Sequence, residues 1–162
     1  MATQHKRILV TGGCGYIGSH TLVSLLTSQS NNVQYSVVVV DNLANSSPES
    51  LRRVADICSL NGFSINEDGS AGQDTDGRLT FRKVDCCDES ALRAVFEEFA
   101  SNGGFDSVVH FAGLKAVGES KLIPLKYCKY YTSYITYFGR IICDEYYVSA
   151  ICHVLYYYSA HF

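Results

Sequence analysis

Apolar and polar positions alternate along the first two thirds of the chain in a repeating order of short apolar runs and helical stretches. Arg7, Ile8, Leu9, Val10 and Thr11 predict a short buried strand, followed by a glycine-rich turn over 12–18. Residues 16–27 predict a helix, in which Ile17, Thr21, Val23, Leu25 and Leu26 are mostly apolar, and the polar stretch 28–32 ends it. Residues 34–40 predict a second strand. Its four consecutive valines, Val37 to Val40, suit a strand buried on both faces, as in a parallel sheet. Ser47 is placed to cap a second helix with Pro48 at its first position, and Leu51, Val54, Ala55 and Cys58 form one apolar face. Residues 79–84 predict a third strand. Asp88 can cap a third helix whose Leu92, Val95, Phe96 and Phe99 repeat that face, and Gly103 and Gly104 end it. Residues 107–111 predict a fourth strand. The order βαβαβαβ calls for an α/β fold: a parallel sheet of about four strands with helices on both faces.

Two stretches fall outside this rhythm. Residues 61–78 are polar, carry four glycines and form a connection longer than usual, so a surface insertion or a disordered loop is expected there. Residues 128–162 hold nine of the twelve tyrosines, one of the thirteen glycines and only four charged side chains. They show no clean helical face or strand alternation, so an irregular tail is expected. That change of composition has two readings, a translated non-coding extension or a selected interaction or membrane segment. The uncharged stretch 146–162 is tyrosine-rich and slightly short for a membrane span.

Composition narrows the partners. With a formal net charge of −3 and no basic run, the chain gives no electrostatic reason to expect nucleic acid or a membrane surface. The seven cysteines are odd in number and match no zinc spacing, so reduced thiols and no metal are expected. Residues 1–7 lead straight into the first strand without the apolar run of a secretory signal, and a cytoplasmic setting is the expectation.

The chemistry begins at Gly12, Gly13, Gly15 and Gly18, which satisfy both G-x-x-G-x-x-G and G-x-G-x-x-G. Between a strand and a helix, such glycines make a tight turn, admit a pyrophosphate to the backbone and let the helix pack on the strand. The helix N-terminus then offers N–H groups and partial positive charge to phosphate. Asp41 ends the second strand at about the spacing expected for a carboxylate that accepts from ribose hydroxyls and repels a 2′-phosphate, favouring NAD over NADP. Asp85, just past the third strand, is either an adenine-side residue or a turn residue. His110 reads as a packed side chain, and Lys115 as either a solvated charge or a phosphate contact.

The stretch Ile8-Leu-Val-Thr-Gly-Gly-Cys-Gly-Tyr-Ile-Gly-Ser-His20 resembles the opening of the extended short-chain dehydrogenase/reductases. Asp41-Asn-Leu-Ala-Asn-Ser46 and His110-Phe-Ala-Gly-Leu-Lys-Ala-Val-Gly-Glu-Ser120 narrow the resemblance to the UDP-glucose 4-epimerase family, across residues 7–127. The resemblance implies a Rossmann-type domain with tightly held NAD. It places Tyr16 and Ile17 at the pyrophosphate, and Asp41, Asn42, Leu43, Ala44, Asn45 and Ser46 at the adenosine ribose. Asp85 and Cys86 would flank the adenine, and Phe111, Ala112, Gly113, Leu114 and Lys115 would line the nicotinamide side. A nucleotide sugar is the substrate by family, in the interconversion of UDP-glucose and UDP-galactose.

The family's catalytic Tyr-x-x-x-Lys motif is not in these residues, because no tyrosine has a lysine four positions on. The family's serine–threonine motif is missing too, and Tyr130 stands where an asparagine is expected near the cofactor. No catalytic residue is therefore assigned. Residues 7–127 read as a partial NAD-binding domain, inactive alone, with association with an intact epimerase subunit as one route to a role. Another extended short-chain oxidoreductase fragment and a non-catalytic nucleotide-binding or interaction protein remain the alternatives.

Overall fold

A computed structural model of the chain describes residues 3–28, 32–114, 117–140 and 153–154. Four parallel strands make its centre. They are β1 (Gln4–Thr11), β2 (Val33–Asp41), β5 (Leu79–Lys83) and β6 (Ser107–His110). β2 pairs with β1 on one side and β5 on the other, and β6 pairs with the free side of β1. Helices α1 (Tyr16–Thr27), α2 (Glu49–Ile57) and α3 (Glu89–Ala100) connect them.

The valine run of β2 explains the layers. Val37 and Val39 pack with Ile8, Val10, Phe81 and the apolar faces of α1 (Leu22, Leu26) and α2 (Leu51, Val54, Ala55). Val38 and Val40 pack on the opposite face with Leu9, Val108 and the Leu92, Val95 and Phe96 of α3. Successive strand side chains point to opposite faces, so an unbroken apolar run needs helices on both. Asp88 accepts a hydrogen bond from the Ala91 N–H at 3.0 Å, capping α3 as its position predicts. Gly103 and Gly104 close α3 with positive φ. α2 begins one residue later than the sequence suggests, at Glu49, with Pro48 flanking it.

The polar insertion is ordered. β3 (Ser64–Ile65) and β4 (Ala71–Gln73) form an antiparallel hairpin, and β4 pairs with β5, giving the sheet order β3-β4-β5-β2-β1-β6-β7. The disordered-loop alternative is thereby corrected. Buried Asp74 fixes the return into β5 by accepting from the Leu79 N–H at 2.7 Å.

The expected irregular tail is also corrected in part. After α4 (Val117–Leu122), α5 (Pro124–Arg140) carries the helix well past residue 128. Tertiary links hold it. Tyr127 is buried and donates its hydroxyl to Glu119 at 2.8 Å. The Cys87 thiol reaches the Tyr130 carbonyl at 3.8 Å. Arg140 lies 3.7 Å from Glu89, which also pairs with Arg93 at 3.3 Å. Beyond Arg140, only β7 (His153–Val154) is described, parallel to β6. The other calls on 141–162, including Cys143 and Cys152, fall outside the described residues, as does Lys115.

Candidate functional site

Strand registers set Thr11 beside Val40 and His110, and Asp41 beside Lys83. The carboxyl ends of four parallel strands therefore share one sheet edge, and the loops carrying the sequence-predicted site residues all leave it. Open α/β sheets bind ligands at this edge.

The glycine turn lies closest to the chain's own backbone. Gly12 has φ +66°, and a Cβ there would sit 2.6 Å from the Ala112 nitrogen. So Gly12 admits both the turn and the close approach of the Phe111–Ala112 segment beyond β6. A Cβ on Gly18 would meet the Gly12 carbonyl oxygen at 2.3 Å and Gly13 Cα at 2.7 Å, so Gly18 lets α1 seat directly on the turn. On Gly13 it would strike Val39 Cγ1 at 2.6 Å. Gly15 flanks α1 without a side-chain cap, and the first turn of α1 holds no acid. Among α1, α2 and α3, only α1 has neither, since Glu49 lies in the first turn of α2 and Asp88 with Glu89 serves α3. The helix end over the glycine turn is thus left positive by its dipole. Tyr16 and Ile17 stand exposed at that end, and a cleft between α1 and α2 is lined by Cys14, Ser19, Ser47, Ser50 and Arg53.

Asp41 is buried and ties the second loop to the first. One oxygen accepts from the Cys14 N–H at 3.0 Å. The other accepts from the Leu43 N–H at 2.9 Å and the Ser46 hydroxyl at 2.8 Å. Leu43 takes φ +58° in this bend, and Asn42 accepts from the Ala44 N–H at 3.0 Å. Asn42 also donates to Asp85 at 3.2 Å, which brings the third loop to the second. Ala44 and Asn45 are exposed on the same bend.

Cys86 departs from its neighbour. Its side chain is buried among Val38, Val40 and Leu92, so only its backbone can serve the edge. Burial pushes the thiols of both Cys86 and Cys14 far up, with the nearby carboxylates of Asp85 and Asp41 respectively adding to it. Neither is an available thiolate.

At the fourth loop, His110 is buried, and its Nδ1 is hydrogen-bonded to the Thr11 hydroxyl. Burial pushes its pKa down to about 3, so the ring is neutral. The Thr11 carbonyl accepts from the Phe111 N–H at 3.0 Å, and its hydroxyl from the Ala112 N–H at 3.4 Å. Thr11 therefore fastens the start of the Phe111–Leu114 segment to the glycine turn.

Two groups were not legible in the sequence: the Cys14 N–H that holds Asp41, and the Ser50 hydroxyl that donates to the Cys14 carbonyl at 3.0 Å. Only the Ser50 position, in the first turn of α2, could have hinted at the second. Among the described residues no cluster of His, Cys, Asp or Glu is placed to hold a metal, and no helix is long and apolar enough to cross a membrane.

The profile of the NAD dependent epimerase/dehydratase family matches residues 8–134. The UDP-glucose 4-epimerase of Bacillus subtilis is 49% identical over 120 residues, which cover 74% of this chain and 28% of that protein. UDP-glucose 4-epimerase 2 of Arabidopsis thaliana is 48% identical over 122 residues, 75% of this chain and 28% of that protein. The crystal structure of the Bifidobacterium longum UDP-glucose 4-epimerase in complex with NAD+ and UDP superposes with a TM-score of 0.67 at 33% identity, covering 88% of this chain and 35% of that one. The chain thus spans about 28% of the length of the curated relatives it matches.

Proposed function

This chain belongs to the NAD dependent epimerase/dehydratase family, and on that premise we propose that residues 7–127 are the NAD-binding part of a UDP-glucose 4-epimerase-like protein. The observation that carries the reading is the uncapped, acid-free N-terminus of α1 seated directly on the glycine turn, a close approach that Gly12 and Gly18 allow because a Cβ on either would collide with backbone. That is a cradle for a pyrophosphate. Asp41, fixed at the end of β2 by Cys14, Leu43 and Ser46, is the carboxylate for a ribose hydroxyl and repels a 2′-phosphate. Asp85, oriented by Asn42, and the Cys86 backbone serve the adenine side. Phe111, Ala112, Gly113, Leu114 and Lys115 serve the nicotinamide side.

When bound, NAD supplies the hydride acceptor of the family's reaction. The residues of this chain bind and orient it but place no acid or base at a sugar hydroxyl, because the Tyr-x-x-x-Lys motif is lacking. Sugar turnover and the nucleotide-sugar substrate belong to the relatives and reach this chain only by kinship. The chain alone therefore binds NAD without interconverting UDP-glucose and UDP-galactose. Two assays test this on purified protein: NAD released on denaturation, expected near stoichiometric, and sugar interconversion, expected absent. No released or added NAD bound would remove the first half of the reading, and turnover by the isolated chain would remove the second. Turnover that tracks a co-purifying intact subunit would instead assign the activity to that subunit.

A further inference from the structure

Four positions put an asparagine or aspartate directly before a glycine: Asn61–Gly62, Asp68–Gly69, Asp76–Gly77 and Asn102–Gly103. Glycine carries no side chain to keep its amide nitrogen from folding back on the preceding side chain. In three of the pairs that amide is already engaged. Gly69 donates to the Asn66 carbonyl at 2.9 Å, Gly77 to the Asp74 carbonyl at 3.2 Å, and Gly103 to the Ala100 carbonyl at 3.2 Å. Among the described residues no acceptor takes the Gly62 N–H. Asn61 and Gly62 are both exposed, so water serves that amide. Asn102 is also held from outside its turn, because its carbonyl accepts from the Arg7 guanidinium at 3.0 Å. The Asn61 carbonyl accepts from the Thr75 N–H at 2.9 Å, which leaves the Gly62 nitrogen untouched.

We propose that Asn61–Gly62 is a site of spontaneous deamidation. The Gly62 nitrogen, giving its proton to hydroxide, attacks the side-chain carbonyl carbon of Asn61. A carbon–nitrogen bond forms there, the bond to the side-chain amide nitrogen breaks, and ammonia leaves with a proton taken from water. The cyclic imide that remains consumes one water. Opening at one carbonyl gives aspartate. Opening at the other gives isoaspartate, in which the main chain runs through the β-carbon and the carbonyl that accepted from Thr75 becomes a free carboxylate. Water is the only co-reactant. The two asparagine pairs outrank the two aspartate pairs because an amide expels ammonia more readily than an ionised carboxylate expels oxygen. Thr75 follows Asp74, whose N–H donates to the Leu79 carbonyl at the start of β5, so Asn61 lies by the amino end of that strand. The new negative charge therefore arises at the opposite end of the sheet from the glycine turn, and the proposal does not depend on dinucleotide binding.

The test ages the full-length chain in alkaline buffer, once folded and once in guanidinium chloride, and maps its peptides for the exchange of one NH for one O. In denaturant Asn61 and Asn102 convert at similar rates, since each precedes a glycine. In the folded chain Asn61 keeps converting while Asn102 falls behind by roughly tenfold, the effect of a backbone hydrogen bond that must break first. Ammonia released from the folded chain should fall sharply in Asn61→Gln, whose longer side chain misplaces the carbonyl. Equal rates at the two sites in the folded chain overturn the proposal. So does an Asn61 that reacts in denaturant but not in the folded chain, or ammonia release that N61Q leaves unchanged.

Discussion

The first strand–helix–strand unit and the segment after β6 are built from one chain but close in opposite ways. In the first, each strained or polar feature meets a partner in the same chain. Gly12 lies against Ala112, Cys14 donates to Asp41, Ser50 donates to Cys14, and Leu22 and Leu26 of α1 are buried on the sheet. In the second, polar links hold α4 and α5 through Glu119, Tyr127, Glu89 and Arg140, while Leu122 and Leu125 stand 82% and 83% exposed. Among the described residues, β6 pairs along Ser107–His110 with β1 and through Val109 and His110 with β7. The difference teaches where the fold's information ends. The exposed Leu122 and Leu125 lie in the segment after β6, and the chain as a whole spans about 28% of the length of the relatives it matches.

The largest expected effect separates the two regions by stability. Phe96 is fully buried between α3 and the sheet, so Phe96→Ala should lower unfolding free energy by about 3–5 kcal/mol in urea titration. Leu125→Ala should change it by less than about 0.5 kcal/mol, as for an ordinary surface site. Equal effects would mean that α5 is packed as tightly as the core, and the contrast would fail.

A second comparison sharpens the role of the turn. Gly12→Ala combines a left-handed backbone with a collision against the Ala112 nitrogen, and should cost about 3 kcal/mol and weaken NAD binding at least tenfold. Gly69→Ala has a similar φ of +69° but open space around it, and should cost about 1 kcal/mol with no effect on NAD. The pair distinguishes close approach from backbone conformation alone.

His110 gives a smaller, pH-dependent effect. Its folded pKa of about 3 lies below the ordinary 6.5, so the unfolded chain binds the proton more readily. The associated stability is present above pH 6.5 and is lost as pH falls from there toward 3. Between pH 7 and 5 the fall should be about 2 kcal/mol. His110→Asn, which keeps a polar atom near Thr11, should flatten that slope in urea titrations at the two pH values. An unchanged slope would place the titrating group elsewhere.

Local chemistry made much of this legible. The α1 span, the two-faced valines, the Asp88 cap and the glycine turn each follow from residues whose partners lie nearby in sequence or repeat at a fixed spacing. The hairpin of 64–73 was hidden because strands of two and three residues carry no alternation, and it is held by Asp74 and by pairing to β5. Helix α5 was hidden because its Tyr, Thr and Ile residues are weak helix formers, and distant contacts with Cys87 and Glu89 override that preference. At the site, the glycines and Asp41 were readable from spacing. The Cys14 N–H was not, since a backbone donor leaves no mark on residue identity. The inward turn of Cys86 is a packing outcome that a motif cannot report.

The most direct test of the dinucleotide reading is calorimetric titration of the purified 162-residue chain with NAD and, separately, with NADP, repeated on Asp41→Asn. The reading predicts one NAD per chain, NADP at least tenfold weaker, and most of that preference lost in D41N. No heat with NAD, or NADP bound as tightly as NAD by the unaltered chain, would contradict it.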